Sequence, residues 1–334
     1  MATWQFPVEF ALCISSLAQV LDARLRHQLA AMLMGLLFAR GRRTVTSWLR
    51  AIGVRRQHED YYYFLGSLGR KCEMVASRLL RLIQQQLPLG KRLVFALDDT
   101  PTKRYGPKVQ GAGIHHNPTP GPASQKFLYG HVWVTIAWLT RHPRWGTIAM
   151  PLAARLYVRA CDMLLLRVLH RWTFRTKLEL AADLVEWIAR WLKYLGIPLW
   201  IVADGAYAKR PFLQRATSAG VTVVSRLRKD AALYSLPPTP QAGARRRGRP
   251  RKYGPLRIDL AKRAGQSRGW QSEAFTLYGK QVTKRFKTFL ATYRPAGGLI
   301  RVVLVKDDDG SWVAYFCTDT SASVAEILEA VADR

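Results

Sequence analysis

The 334 residues carry 52 Lys and Arg against 22 Asp and Glu, a formal charge of +30, and 49% of them are hydrophobic. That hydrophobic share supports a core of two or three units. The 11 Trp, 13 Tyr and 12 Phe exclude a disordered basic arm, which is poor in such residues. So basic a surface repels itself and calls for a polyanionic partner. Nucleic acid leads, because neutralising phosphates with Lys and Arg is the main electrostatic term in binding it; an anionic membrane surface is the weaker alternative.

Cys13, Cys72, Cys161 and Cys317 are far apart and form no CxxC pair, which argues against a disulfide framework or structural zinc and for a reducing compartment. The run LAAMLMGLLFA is 11 residues long, too short to span a bilayer. The opening MATWQFPVEF lacks the basic start of a signal peptide. The expectation is a soluble cytoplasmic protein with no membrane partner.

Residues 1–90 read as helical. In FALCISSLAQVLDARLRHQLAAMLMGLLFA apolar residues recur at three- and four-residue spacing with no proline between them. GRR at 41–43 breaks the pattern, and TVTSWLRAIGV follows as a short helix capped by Thr44 or Thr46. Short helices with Arg and Lys between them suit a DNA-binding region, and equally a helical cap on a sheet.

From Lys91 the character changes. LVFAL reads as a strand, VQGAGIHH as a second and YGHVWVTIAWL as a third, apolar on both sides as in a buried strand. A helix follows at about 177–194, then the strand IPLWIVAD, a short helix KRPFLQRATSAG and the strand VTVVSRL, the order of a βαβ unit. Residues 230–257 have no packing periodicity, five prolines and a dense basic run. AFTLYG, VTKRFKTFLATY, LIRVVLVKD and WVAYFCTD then read as strands of a β-rich insertion. TSASVAEILEAVADR opens a helix with capping Ser and Thr residues.

Chemistry concentrates at two places. Asp98 and Asp99 close LVFAL, and Asp204 closes LWIVA. In an α/β sheet functional side chains gather just beyond the carboxyl ends of strands, so neighbouring strands would bring Asp98 and Asp204 to one cleft. Mg²⁺ takes one or two carboxylates plus substrate phosphates, and two such ions can activate water and stabilise a leaving oxygen. The other reading is ordinary, since aspartates are common turn and cap residues. His115 and His116 alternate faces on a strand and make a poor zinc pair. Trp133, Trp138, Trp187 and Trp191 read as core or sheet-covering residues.

LVFALDDTPTKRYGPKVQGAG with the following IHH resembles the first catalytic block of DDE-type insertion-sequence transposases, in the group whose core opens with a DDT motif. WIVADGAYAKRPFL resembles the second block, with Asp204 at the catalytic aspartate and Tyr207 at the usual tyrosine. The resemblance runs from about residue 90 onward. It implies an α/β fold with an RNase H-like mixed sheet core. The domains expected are helices over 1–90, the first part of the core over 91–229, a basic loop and β-rich insertion over 230–319, and the start of the closing helix over 320–334. It also implies phosphodiester cleavage and strand transfer at insertion-element ends, on double-stranded end and target DNA, by a nucleoid-associated, self-associating protein.

Three carboxylates would hold two Mg²⁺ ions, with Mn²⁺ as a substitute. Asp98 and Asp204 are the first two ligands, and Asp99, Thr100 and Tyr207 are helpers. The basic RRRGRPRKYG supplies DNA contacts from Arg245, Arg246, Arg247, Arg249, Arg251 and Lys252, arginines of this kind gaining from a narrow minor groove. The third acid is expected in a W-x-I-E-type run beyond Arg334. The expectation is therefore a C-terminally truncated enzyme lacking that Glu, or else a non-catalytic DNA-binding remnant. Glu326 and Glu329 are read as solvated helix acids.

Overall fold

A computed structural model describes residues 7–56, 58–106, 108–117, 126–238, 251–307 and 309–334. The chain divides into two compact units, Met1–Pro88 and Leu89–Arg334.

The first unit is helical, with α1 (Val8–Ala18), α2 (Arg26–Phe38), α3 (Val45–Ala51), α4 (His58–Arg70) and α5 (Cys72–Gln86). Ala18, Leu21, Leu29, Met32, Leu49 and Phe64 form its core. Thr44 caps α3 by accepting from the Ser47 amide, which satisfies one of the orphan donors of a helix start. Gly35 of α2 lies so close to Trp48 of α3 that a Cβ there would sit 2.5 Å from the Trp48 carbonyl oxygen.

The second unit is a mixed sheet covered by helices. Its elements in chain order are β1 (Leu93–Lys103), β2 (Gly113–His116), β3 (Phe127–His142), β4 (Gly146–Tyr157), α6 (Met163–His170), α7 (Lys177–Leu192), β5 (Leu199–Ala203), α8 (Arg210–Ser218), β6 (Thr222–Leu227), β7 (Leu233–Tyr234), β8 (Arg257–Ile258), α9 (Leu260–Gly265), β9 (Gln271–Leu277), β10 (Lys280–Tyr293), β11 (Gly298–Lys306), β12 (Trp312–Cys317) and α10 (Val324–Asp333). The sheet order is β2-β3-β1-β5-β6-β12-β11-β10-β7-β8, with β4 on β3 and β9 on β10. β1, β5 and β6 are parallel, while β3 and β12 run antiparallel to them. This is the mixed α/β architecture of an RNase H-like core. The strands after residue 257 join the same sheet through the β12–β6 pairing.

The two faces of the sheet are filled differently. Trp200, Val202, Val224, Val303 and Val305 pack with Ile327, Leu328 and Ala330 of α10. A capping box holds the start of that helix, Ser323 and Glu326 exchanging hydrogen bonds with each other's backbone. Alternation of the pleat puts the fully buried Phe95, Leu97, Ile201 and Val223 on the opposite face. There α7 packs on β3 and β4 and α8 on β6.

Two sequence readings shift. β1 does not close at its aspartates but runs to Lys103, because β3 continues to pair with it there (Lys103↔Gly130). Pro101 is tolerated since the β5 pairing has already ended at Leu97, leaving that side of β1 free of a partner that needs its missing N–H. β4, with its own Pro151 beside a bulge against β3, is a further edge strand beyond the three strands expected before α7.

Candidate active site

The register fixes the geometry. Leu97 of β1 pairs with Ala203 of β5, and Ala203 with Ser225 of β6. The next residues, Asp98, Asp204 and Arg226, thus stand in a row across three parallel strands at their carboxyl ends, about 4.8 Å apart per strand. All three have the pleat parity of Trp200 and Val202, on the α10 face, and all are exposed. The Ser225 hydroxyl donates to the Asp204 carbonyl at 3.0 Å, tying the end of β5 to β6. Thr100 shares Asp98's face two residues further on and is exposed.

Among the described residues the Asp98 carboxylate accepts two hydrogen bonds. Its Oδ1 accepts from the Asp99 amide at 2.8 Å, and its Oδ2 from Arg334 Nη2 at 2.7 Å. Among the described residues no hydrogen-bond donor reaches the Asp204 carboxylate.

Asp99 belongs to the other face. Its Oδ2 accepts from Lys177 Nζ at 2.6 Å and its Oδ1 from the Tyr207 hydroxyl at 3.2 Å. Lys177 is the first residue of α7, whose N-terminus is fixed by a Thr176–Glu179 capping box. Lys177 Nζ also lies 5.5 Å from the Tyr157 ring centre, a cation–π distance. Tyr207, in a single 3₁₀ turn after Asp204, is buried. Burial first, then the Asp99 charge, drive its hydroxyl pKa well above the ordinary tyrosine value, so it stays a proton donor. The structure therefore separates the adjacent aspartates: Asp98 and Asp204 come together, while Asp99 and Tyr207 pair on the far face. Lys177 gave no signal in the sequence beyond its place at a helix start.

The acids of α10 are engaged elsewhere, not merely solvated. Glu326 accepts from Arg92 Nη1 at 2.5 Å, and that guanidinium lies 4.5 Å from the Trp200 ring centre. Glu329 and Asp333 share Arg141. The Ser323 cap and Arg92 hold the Glu326 carboxyl below its usual range.

His115 is buried and its Nε2 has no partner among the described residues. Burial, Arg159 and Lys177 lower its pKa. Of the expected DNA contacts, Arg251 and Lys252 are exposed, and Arg245, Arg246, Arg247 and Arg249 lie outside the described residues.

Asp98 and Asp204 supply the hard oxygen ligands that fit a divalent ion completed by water and substrate phosphate. A cluster of three or more His, Cys, Asp or Glu is not assembled among the described residues. No helix among them is long and apolar enough to cross a membrane.

A family model described as DDE superfamily endonuclease matches residues 16–289. Nucleases of that superfamily act on DNA and generally use divalent metal ions. No curated protein matches the chain.

Proposed function

The chain belongs to the DDE superfamily endonuclease family, and on that premise we propose that it is an insertion-element transposase. It cuts phosphodiesters at element ends and joins them to target DNA, as a self-associating, nucleoid-bound protein. The observation that carries this reading is the placement of Asp98 and Asp204 at the same level of adjacent parallel strands, on one face and open to solvent. Asp98 and Asp204 would hold Mg²⁺, or Mn²⁺ in its place. Such an ion polarises a phosphoryl oxygen and activates water for attack.

The chain's own groups do the rest. Lys177 and Tyr207 hold Asp99 on the far face, so the β1 segment at Asp98 is kept in place without a second carboxylate crowding the ligands. Arg334 neutralises Asp98 until a cation replaces it. Thr100 lines the same face as Asp98, and the basic surface of the chain draws in the DNA backbone. Residues 1–90 and the run from Arg245 to Lys252 are the DNA-binding parts in this proposal, and in sequence the core takes 91–229, the insertion 230–319 and the closing helix starts at 320.

The test is metal-dependent nicking of supercoiled DNA carrying the element ends. The full-length protein should nick with Mg²⁺ and not with EDTA, and D98N and D204N should each lose the activity while melting as the wild type does. Equal nicking by wild type and either variant refutes the assigned ligands.

A further inference from the structure

One residue past Asp204 lies a cavity of about 420 Å³ lined by Gly205, Arg226, Leu227, Arg228, Lys229 and Asp230. That size is ordinary for a small-ligand cleft. Its wall is built by the backbone: Gly205 follows Asp204 directly, and a Cβ there would come within 3.0 Å of the Arg226 carbonyl oxygen. Three cations face it, in three different states. Arg228 is spent on a two-bond pair with Asp230, Nε–Oδ1 at 2.9 Å and Nη2–Oδ2 at 2.8 Å. Lys229 is steered by the Trp312 ring, 5.0 Å from its centre. Arg226 has no hydrogen-bond or ion-pair partner among the described residues, and it continues the row Asp98–Asp204 onto β6.

We propose that this cavity is the subsite for the DNA phosphodiester next to the one being cut, with Arg226 as its main contact and Lys229 as its second. The idea rests on the reading above that a phosphodiester is cut at Asp98 and Asp204. A free guanidinium one strand from a metal ligand suits a phosphate better than any other part of DNA. Its planar fork donates two parallel hydrogen bonds to phosphate oxygens. Its charge also balances the acids beside it once substrate arrives. Arg226 is thus a strand-positioning residue that sets which bond of the backbone comes to the acids.

The experiment uses the full chain and the variants R226Q, R226K and K229Q. R190Q serves as a control for charge alone, since Arg190 is an exposed residue of α7 on the opposite face of the sheet. Binding of a fluorescent DNA duplex in EDTA is followed from 50 to 200 mM salt. One lost phosphate contact lowers the slope of log K against log salt by about 0.9. R226Q should show that drop, K229Q a smaller one, R226K little change and R190Q none. In the nicking assay R226Q should raise KM more than it lowers kcat, and neutral methylphosphonates next to the cut should hurt wild type but not R226Q. A slope for R226Q equal to that of R190Q, or unchanged methylphosphonate sensitivity, overturns the proposal. If wild type nicks nothing, the function proposed above falls, and the salt slopes alone decide the subsite.

Discussion

Replacing each of the two adjacent aspartates with asparagine separates structure from chemistry. In D99N the carboxylate that accepts from Lys177 and Tyr207 becomes a neutral amide. Hydrogen bonds to a charged group are worth roughly 1.5–3 kcal/mol each when buried. Asp99 and Lys177 keep 24% and 38% of their side-chain surface exposed, so screening reduces their share toward the ~1 kcal/mol upper range of exposed pairs. Adding the bond from the buried Tyr207 gives a loss of about 2 kcal/mol. For a domain of some 150–250 residues each kcal/mol moves the melting point by about 2–4 °C, so D99N should melt about 4–8 °C lower. Asp98 is 55% exposed and among the described residues pairs with Arg334 alone, so D98N should cost under about 1 kcal/mol. Circular dichroism melts paired with Mg²⁺-dependent nicking read both quantities. D98N is expected to stay stable and inactive, and D99N to be destabilised with nicking retained below its melting point. The reverse pattern, a stable but inactive D99N or a D98N that melts lower than D99N, would refute the division of labour between the two faces.

R334A frees the Asp98 oxygen for a cation. A half-exposed pair worth about 0.5–1 kcal/mol predicts a two- to five-fold gain in metal affinity, measured by Mn²⁺ titration in a magnetic-resonance binding assay; an unchanged or weaker affinity contradicts the competition. His115 predicts a pH effect. Arg159 and Lys177 face it as cations and Asp162 as an anion, and its folded pKa lies below the ordinary 6.5 of an exposed histidine. The unfolded chain therefore takes up the proton first as pH falls. Stability is full above about pH 6.5 and declines below it, down to the folded pKa. H115Q should flatten urea-denaturation midpoints between pH 7 and 5, and an equal slope in both proteins counts against the buried neutral imidazole.

Much of the frame could be read from the residues because it depends on local signals. The apolar runs LVFAL and LWIVA each end at an acid, and the order strand–helix–strand marks LWIVA and VTVVSRL as a parallel pair, while the pairing of LVFAL with LWIVA that brings the acids together comes from the sheet register. β4 was hidden for a physical reason. Its Pro151 looks like a strand breaker, yet it sits at a bulge on an edge strand, where a missing N–H costs no ladder bond. Lys177 and Arg226 were hidden differently. Each is one cation among 52 Lys and Arg, and nothing in composition sets it apart. Only the register between β5 and β6, and the contact of α7 with β1 across 78 residues of chain, give them a role.

The pleat then answers the question posed by two like charges side by side. Consecutive residues of a strand face opposite ways, so Asp98 and Asp99 cannot both enter one cleft while β1 stays paired with β3, and it stays paired through both. Each face settles its charge separately. On the α7 face a lysine and a buried tyrosine each donate to one oxygen of Asp99. On the α10 face Asp98 meets one guanidinium at its edge, with Asp204 in the next strand and Arg226 in the one after. Among the described residues the second face still has unpaired charge of both signs, the Asp204 carboxylate and the Arg226 guanidinium, next to an Asp98 that pairs with Arg334. That pairing suits the proposed cation-assisted reaction on a phosphodiester.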